Sequence, residues 1–271
     1  MAQARNIVRK VARRLLRRLS SSDGKGANGL HRPSPYYFSL CSAVAKGGFL
    51  RIVVVGANDG RINDPIYSFA RKFSNSTELF LIEPQESLLP HLRENYAFHP
   101  RAKFCSLAIG EPGSITLHSV REEIWPKLHV DYAKGWPPYR APTGITSGNR
   151  DHVRRWLRKH GPKGIDVDSM IATHVVESAQ LPDVLLKHGA AGGIDVLQID
   201  TEGMDDIVIF NSGVDELKPT LVHFEADKLS SERLKSLTGY LKNLGYVLGQ
   251  VGRDILAVQT RSDGNESQAV G

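Results

Sequence analysis

The sequence predicts an α/β domain wound on both faces of a mostly parallel sheet, on three observations. Short runs of branched apolar residues without polar alternation recur along the chain: 51–55 (RIVVV), 78–82 (ELFLI), 194–199 (IDVLQI) and 220–224 (TLVHF). Such runs mark strands buried on both faces. Helical segments separate them, so that strand, helix, strand, helix and strand follow one another between residues 51 and 109. Finally, the first run stops at Gly56-Ala57-Asn58-Asp59-Gly60, a turn at the carboxyl end of a strand, where open α/β sheets hold their ligands.

At 271 residues and 41% hydrophobic, the chain can build one large core. Its net charge is +6, but seven arginines and lysines precede the first acid, Asp23, and the remainder sums to −1. The body is therefore close to neutral, and no nucleic-acid partner is expected. Two cysteines, Cys41 and Cys105, exclude a disulfide framework or a cysteine-rich metal site and fit a reducing, cytoplasmic location. No apolar run approaches the roughly 20 residues of a membrane span.

In chain order, residues 5–19 set Ile7, Val8, Val11, Leu15, Leu16 and Leu19 on one half of a helical wheel and most of the arginines on the other. This basic segment, residues 1–22, reads as a peripheral membrane helix, a solvated tail or a transit peptide. Residues 23–32 continue a Ser/Gly/Asn linker. A helix over 36–46, closed by Gly47-Gly48, begins the main domain, taken as 33–260. After the 56–60 turn, Asp64 caps and Pro65 opens a helix to residue 72. A second strand, 78–82, ends at Glu83-Pro84. A helix over 87–95 leads to a third strand at 103–109, and 113–118 adds a short strand. Residues 119–165 then break the rhythm with prolines, Trp125, Tyr132, Trp136, Tyr139 and Trp156. A connection this long reads as a lid or binding insertion, or else as a packed surface excursion. Within it, 149–160 is a basic helix whose Arg150, Arg154, Arg155 and Arg158 face either solvent or an anionic substrate. Helix 181–188, strand 194–199, helix 204–210, strand 220–224, helix 231–244 and a hairpin of 246–250 with 255–259 complete the domain. The polar residues 261–271 are expected to be disordered.

Three strand ends carry acids: Glu83, Asp200 with Glu202, and Glu225. Glu83 follows the glycine turn by about 20 residues, the spacing at which an acid accepts hydrogen bonds from ribose hydroxyls; it also suits a helix-capping acid. Dinucleotide sites use G-x-G-x-x-G to admit a pyrophosphate, whereas Asn58 stands at the middle glycine here and Asp59 would repel phosphate. A phosphate-free, cationic cofactor suits this turn better.

The ordered set GANDG, LIEP, AIG with PGS, IDVLQIDTEGMD and LVHFEAD resembles the FkbM-type family of S-adenosylmethionine-dependent methyltransferases over about residues 52–258. The resemblance implies a class I, Rossmann-like sheet of seven strands, mostly parallel with a reversed last strand. It also implies S-adenosyl-L-methionine held by Gly56, Ala57, Asn58, Asp59 and Gly60. Glu83-Pro84 would lie at the ribose, Ser106, Leu107 and Ala108 at the adenine, and Asp200 at the methionyl part. Val54 stands where many class I members carry an acid, which leaves the amino-group contact to Asp59 or Asp200.

An alcohol acceptor needs a base as its bond to the methyl forms. Asp200, Glu202 and His223 are the candidates in that order, with Glu225 as an orienting group; His223 also fits a satisfied core histidine. Asp200, Glu202 and Glu225 could hold a divalent cation, but the resemblance does not require one and no metal is expected. The leading expectation is O-methylation of a sugar, glycan or natural product. The alternatives are a nucleotide-cofactor oxidoreductase and a non-catalytic module docking on membranes or a partner.

Overall fold

The computed structural model describes residues 34–189 and 193–260. The expectations for 1–22, 23–32 and 261–271 lie outside these residues. The chain falls into two compact units that meet in sequence between Gly48 and Phe49.

In the first unit, helix α1 (Pro35–Gly47) follows the local rules at both ends. Ser34 Oγ accepts from the Tyr37 N–H, Pro35 occupies the first turn, and Gly48 closes the helix in the left-handed region, its N–H donating to Val44 O at 2.7 Å.

The second unit holds a seven-stranded sheet. Its strands in chain order are β1 (Leu50–Val55), β2 (Thr77–Ile82), β3 (Ala102–Cys105), β7 (Val196–Ile199), β8 (Leu221–Glu225), β9 (Tyr246–Val251) and β10 (Asp254–Gln259), arranged β3-β2-β1-β7-β8-β10-β9. The first five of these run parallel and β10 is antiparallel to β8, the expected reversed last strand. Order reverses at β1, which has β2 on one side and β7 on the other. Helices α2 (Tyr67–Lys72), α3 (Leu89–Asn95), α6 (Leu181–Lys187), α7 (Asp205–Phe210), α8 (Val214–Leu217) and α9 (Ser231–Asn243) connect the strands. Val53, Val55, Phe80, Ile82, Leu197, Ile199, Val222 and Phe224 pack against Leu181, Val208 and Leu237 in one continuous core, so the unalternated strands are buried as their composition requires.

Asp64 caps as expected: its Oδ1 accepts from the N–H groups of Ile66 (2.6 Å) and Tyr67 (3.0 Å). The regular helix starts only at Tyr67, because the capped residues form a turn.

The third strand departs from expectation. It does not run from 103 to 109. Ile82 pairs with Cys105 as the last residue of the β2–β3 ladder, and β2 then gives way to Pro84, which has no N–H for further pairing. The chain turns away at Ser106-Leu107, and β4 (Ala108–Ile109) joins a second sheet, β4-β6-β5. There β5 (Gly113–Val120) pairs antiparallel with β6 (Ile171–Ala179) from Gly113↔Ser178 to Val120↔Ile171. Strand β6 went unpredicted because only two of its nine residues are buried, leaving no apolar alternation. These two strands bracket the long connection, so it is a folded excursion rather than an open loop. It contains α4 (Arg140–Thr143) and α5 (Arg150–His160) and has its own core of Val120, Ile124, Ile145, Val153, Leu157, Met170 and Ile171, with Trp125 and Trp156 packed against it.

Candidate active site

The carboxyl ends of β1, β2, β7 and β8 open into one cavity of about 810 Å³, walled on the other side by α4, α5 and the segment before them. At its floor the glycine turn is fixed by close approach. Gly56 has φ +80°, and a β-carbon there would lie 1.9 Å from the Asp200 carbonyl oxygen. The Gly56 and Ala57 N–H groups both donate to Ile82 O at 3.0 Å, which ties β1 to β2. Asn58 is also left-handed, at φ +48°, a conformation that asparagine tolerates better than most residues.

Glu83 is buried behind this turn. Its Oε2 accepts from the Asn58 N–H at 2.7 Å and its Oε1 from the Gln85 N–H at 2.9 Å and Gln85 Nε2 at 3.1 Å. A carboxylate offers about four lone-pair sites, so one acceptor direction is left over. Burial raises its pKa, opposed by these backbone hydrogen bonds.

On β7 and β8 the acids converge. Asp200, Glu202 and Glu225 each offer a carboxylate oxygen within 4.8 Å of the others. Asp200 opens onto the cavity yet is surrounded by protein, and burial, followed by the charges of Glu202 and Asp205, pushes its pKa up to about 8. Glu225 is raised by burial and then by Asp200 and Glu202. Lys228 supplies partial compensation, with Nζ 3.7 Å from Glu202 Oε2 and 3.9 Å from Glu225 Oε1. Asp205 fastens the two strand ends together: its Oδ1 accepts from the Thr201 N–H and hydroxyl, and its Oδ2 from the Glu225 N–H at 2.9 Å. His223 is buried, which pushes its pKa down to about 4 and keeps it neutral; its Nε2 lies 3.5 Å from Asp254 Oδ2.

The excursion docks on both halves of this edge. Gln85 Nε2 donates to Thr143 O, the Thr146 hydroxyl donates to Gln85 Oε1 at 2.9 Å, and Arg140 Nη2 donates to Ile62 O at 2.8 Å. On the other side the Ser147 hydroxyl donates to Glu202 O at 2.8 Å, and His152 Nε2 stands 3.2 Å from Glu202 Oε2. Glu202 itself is held at φ +52°, an uncommon conformation for glutamate and one of the kind that functional sites retain. Helix α5 presents His152, Trp156, Lys159 and His160 to the cavity, a stripe at helical spacing. Its arginines go elsewhere. Arg150 and Arg154 pair with Asp168, while Arg155 and Arg158 are exposed, so of the two readings for this basic face the solvent-side one holds.

Of the residues singled out from sequence, Gly56, Ala57, Asn58, Glu83, Pro84, Ala108, Asp200, Glu202, His223 and Glu225 line the cavity together. Asp59, Gly60, Ser106 and Leu107 are not among its lining residues. Asp59, 1% exposed, is engaged by the protein: Arg140 Nε lies 3.4 Å away, and the Arg61 and Ile62 N–H groups donate to its Oδ1. Gly60 packs against Leu92 and Tyr96. Leu107 belongs to the main core and Ser106 faces outward, a result of the chain leaving β3 at this point. Sequence reasoning missed His152, Gln198 and Lys228. The helical spacing of His152, Trp156 and Lys159 was a usable signal for the first; Gln198 and Lys228 carried none.

Among the described residues, no helix is long and apolar enough to cross a membrane. Comparison with solved structures finds an FkbM methyltransferase from Methylobacillus flagellatus at 14% identity and a TM-score of 0.46, covering 78% of this chain. This chain spans only 43% of that one. A precorrin-6y C5,15-methyltransferase from Geobacter metallireducens matches at 10% identity and a TM-score of 0.38, over 89% of this chain and 96% of that one. A methyltransferase from Podospora anserina with bound SAH matches at 9% identity and a TM-score of 0.39, over 84% and 78%. No curated protein sequence matches significantly. The family model described as the methyltransferase FkbM domain matches residues 55–248, well over half of the chain and the span from the end of β1 into β9, and the chain belongs to the FkbM methyltransferase family.

Proposed function

We propose that this chain transfers a methyl group from S-adenosyl-L-methionine to a hydroxyl of a sugar, glycan or natural product. The observation that supports this most directly is the gathering of Glu83, Asp200, Glu202 and Glu225 around one cavity beside the Gly56 turn. When bound, the donor supplies an electrophilic methyl group on a cationic sulfonium. The residues present suit it. Acids of this density favour a cation and oppose a diphosphate, and Glu83 retains one acceptor direction for a ribose hydroxyl. Ala108 and Ile109 give an apolar stretch of wall for an adenine.

The chain's own residues then have three tasks. The excursion, with Tyr132, Trp136 and Trp156 on the cavity, holds the acceptor and keeps water from the reacting centre. Asp200, with its pKa near 8, takes the hydroxyl proton; a base poised close to ambient pH is effective in this role. The His152–Glu202 pair and Lys228 set the charge around it. Asp200, Glu202 and Glu225 have the donor chemistry for a divalent cation, but Lys228 already stands beside two of them and the reading does not require a metal.

The test is transfer of labelled methyl from S-adenosylmethionine to heat-treated cell extract, comparing wild type with Asp200→Asn. At saturating donor, so that weakened donor binding does not mask the step, the variant is expected to lose transfer by about 100-fold. Equal labelling would remove Asp200 from the mechanism, and wild-type label appearing only on nitrogen or carbon would overturn the hydroxyl assignment.

A further inference from the structure

Gln198 has a buried hydrogen-bonding group that the protein leaves unsatisfied. The residue lies on β7, is 3% exposed and lines the cavity. Its Nε2 makes a long bond to Ile199 O at 3.4 Å, and its Oε1 has no hydrogen-bond partner. Buried polar atoms in native proteins are nearly always paired, so an orphan on a side chain that lines a ligand cavity points to a donor on the ligand.

The sheet register shows where that donor must come from. Val54 on β1 pairs with Gln198, and Gln198 pairs with His223 on β8, so the three form one row, and all three line the cavity. Val54 has no polar atom to offer. Two residues further along the strand, on the same face, stands Asp200, with Glu202 and Glu225 close by. The amide oxygen therefore sits at the acidic end of the cavity, where a positively charged donor is favoured and a carboxylate is not.

The next step rests on the methyl-donor reading above. That reading gives Glu83, at the end of β2, to the ribose. Strands β2 and β7 flank β1, so their ends are two strand spacings apart, roughly 10 Å. This is about the reach of an amino-acid arm extended from the ribose. We propose that Gln198 Oε1 accepts a hydrogen bond from the α-ammonium group of the methyl donor, which makes Gln198 the residue that recognises the donor's amino-acid end. The terminal torsion of a glutamine is soft, so the oxygen reaches the cavity without backbone movement.

Calorimetry on the full chain tests this with two probes. S-adenosylhomocysteine carries the amino-acid arm; 5′-methylthioadenosine keeps the adenosine and the thioether but lacks it. In Gln198→Leu, which preserves volume without polar atoms, the Kd for S-adenosylhomocysteine is expected to rise on the order of tenfold or more, while that for 5′-methylthioadenosine stays unchanged. Retained binding of the smaller probe also demonstrates an intact fold. Gln198→Glu, which keeps an acceptor in place, is expected to preserve the wild-type preference for the longer probe. Loss of that preference in the glutamate variant, equal weakening of both probes in the leucine variant, or no weakening of either, each overturns the assignment. Wild type failing to bind either probe is a different result: it overturns the methyl-donor reading itself, and this inference with it.

Discussion

At Gly56 the available space leaves no choice of side chain. A β-carbon would sit 1.9 Å from the Asp200 carbonyl oxygen, which is backbone and cannot rotate away, and the φ of +80° adds strain. The positive φ alone costs a non-glycine residue roughly 1–2 kcal/mol, and pushing β1 from β7 costs more. Gly56→Ala is expected to lower stability by about 3 kcal/mol in urea denaturation and to abolish S-adenosylhomocysteine binding; a variant of wild-type midpoint would show that the two strand ends separate easily. Glu83 shows the opposite situation, a residue with acceptor capacity beyond what the protein uses. Three of its acceptor sites hold the Asn58 and Gln85 donors, which brace the glycine turn; the short helix that follows at Glu86–Leu88 has no side-chain cap, so Glu83 is not a capping acid.

Among the elements, the excursion between β5 and β6 is the piece that completes the cavity. It is bound to the glycine turn through Arg140, whose guanidinium meets the buried Asp59 carboxylate and the Ile62 carbonyl. Removing one partner of a buried ion pair leaves the other uncompensated and costs about 3–5 kcal/mol. Arg140→Ala is therefore expected to lower the melting temperature and, through the loosened turn, to weaken S-adenosylhomocysteine binding. Arg140→Lys should restore only part of both, because an ammonium lacks the fork that spans the two acceptors. Thermal melts and calorimetry on the two variants read this directly, and wild-type values for Arg140→Ala would mean that the excursion is anchored elsewhere.

Across the whole molecule, acids whose pKa the fold raises give stability a definite pH dependence. Asp64 is raised to about 7 and Asp200 to about 8, both first by burial, whereas in the unfolded chain each loses its proton near pH 4. The native state thus holds protons that the unfolded state has released. Their contribution is fully present below about pH 4 and is lost as pH rises through 7 and 8, at most about 1.4 kcal/mol per pH unit for Asp64 and only a fraction of that for Asp200, whose side chain opens to solvent and is screened by it. The lowered pKa of His99 and His223, both about 4, acts in the opposite sense and only below their unfolded value of about 6.5. Above pH 7 the acids alone remain, and the melting temperature is expected to fall by roughly 2 °C between pH 7 and 9. Asp200→Asn should flatten that slope, and an unchanged slope in differential scanning calorimetry would show that Asp200 titrates normally.

The strands of the seven-stranded sheet, their order in the chain, the glycine turn and the acids at the strand ends were legible in the sequence. Each follows from local composition: unalternated Val, Ile and Leu require burial on both faces, and glycine marks a backbone that admits no side chain. The family resemblance rested on the same segments. The tertiary structure decided what local composition cannot encode. It ended β3 at Cys105, where β2 ran out of partners, and so drew Ser106 and Leu107 away from the cavity. Arg140, far off in sequence, lies beside Asp59, which therefore serves the turn rather than the cavity. Strand β6, which no periodicity marked, became the partner of β5. Finally, the pairing of β1, β7 and β8 set Gln198 between Val54 and His223, and the docking of the excursion carried His152 to Glu202. Contacts of this kind depend on which segments meet, and strand register and side-chain packing fix those meetings only after the chain has folded.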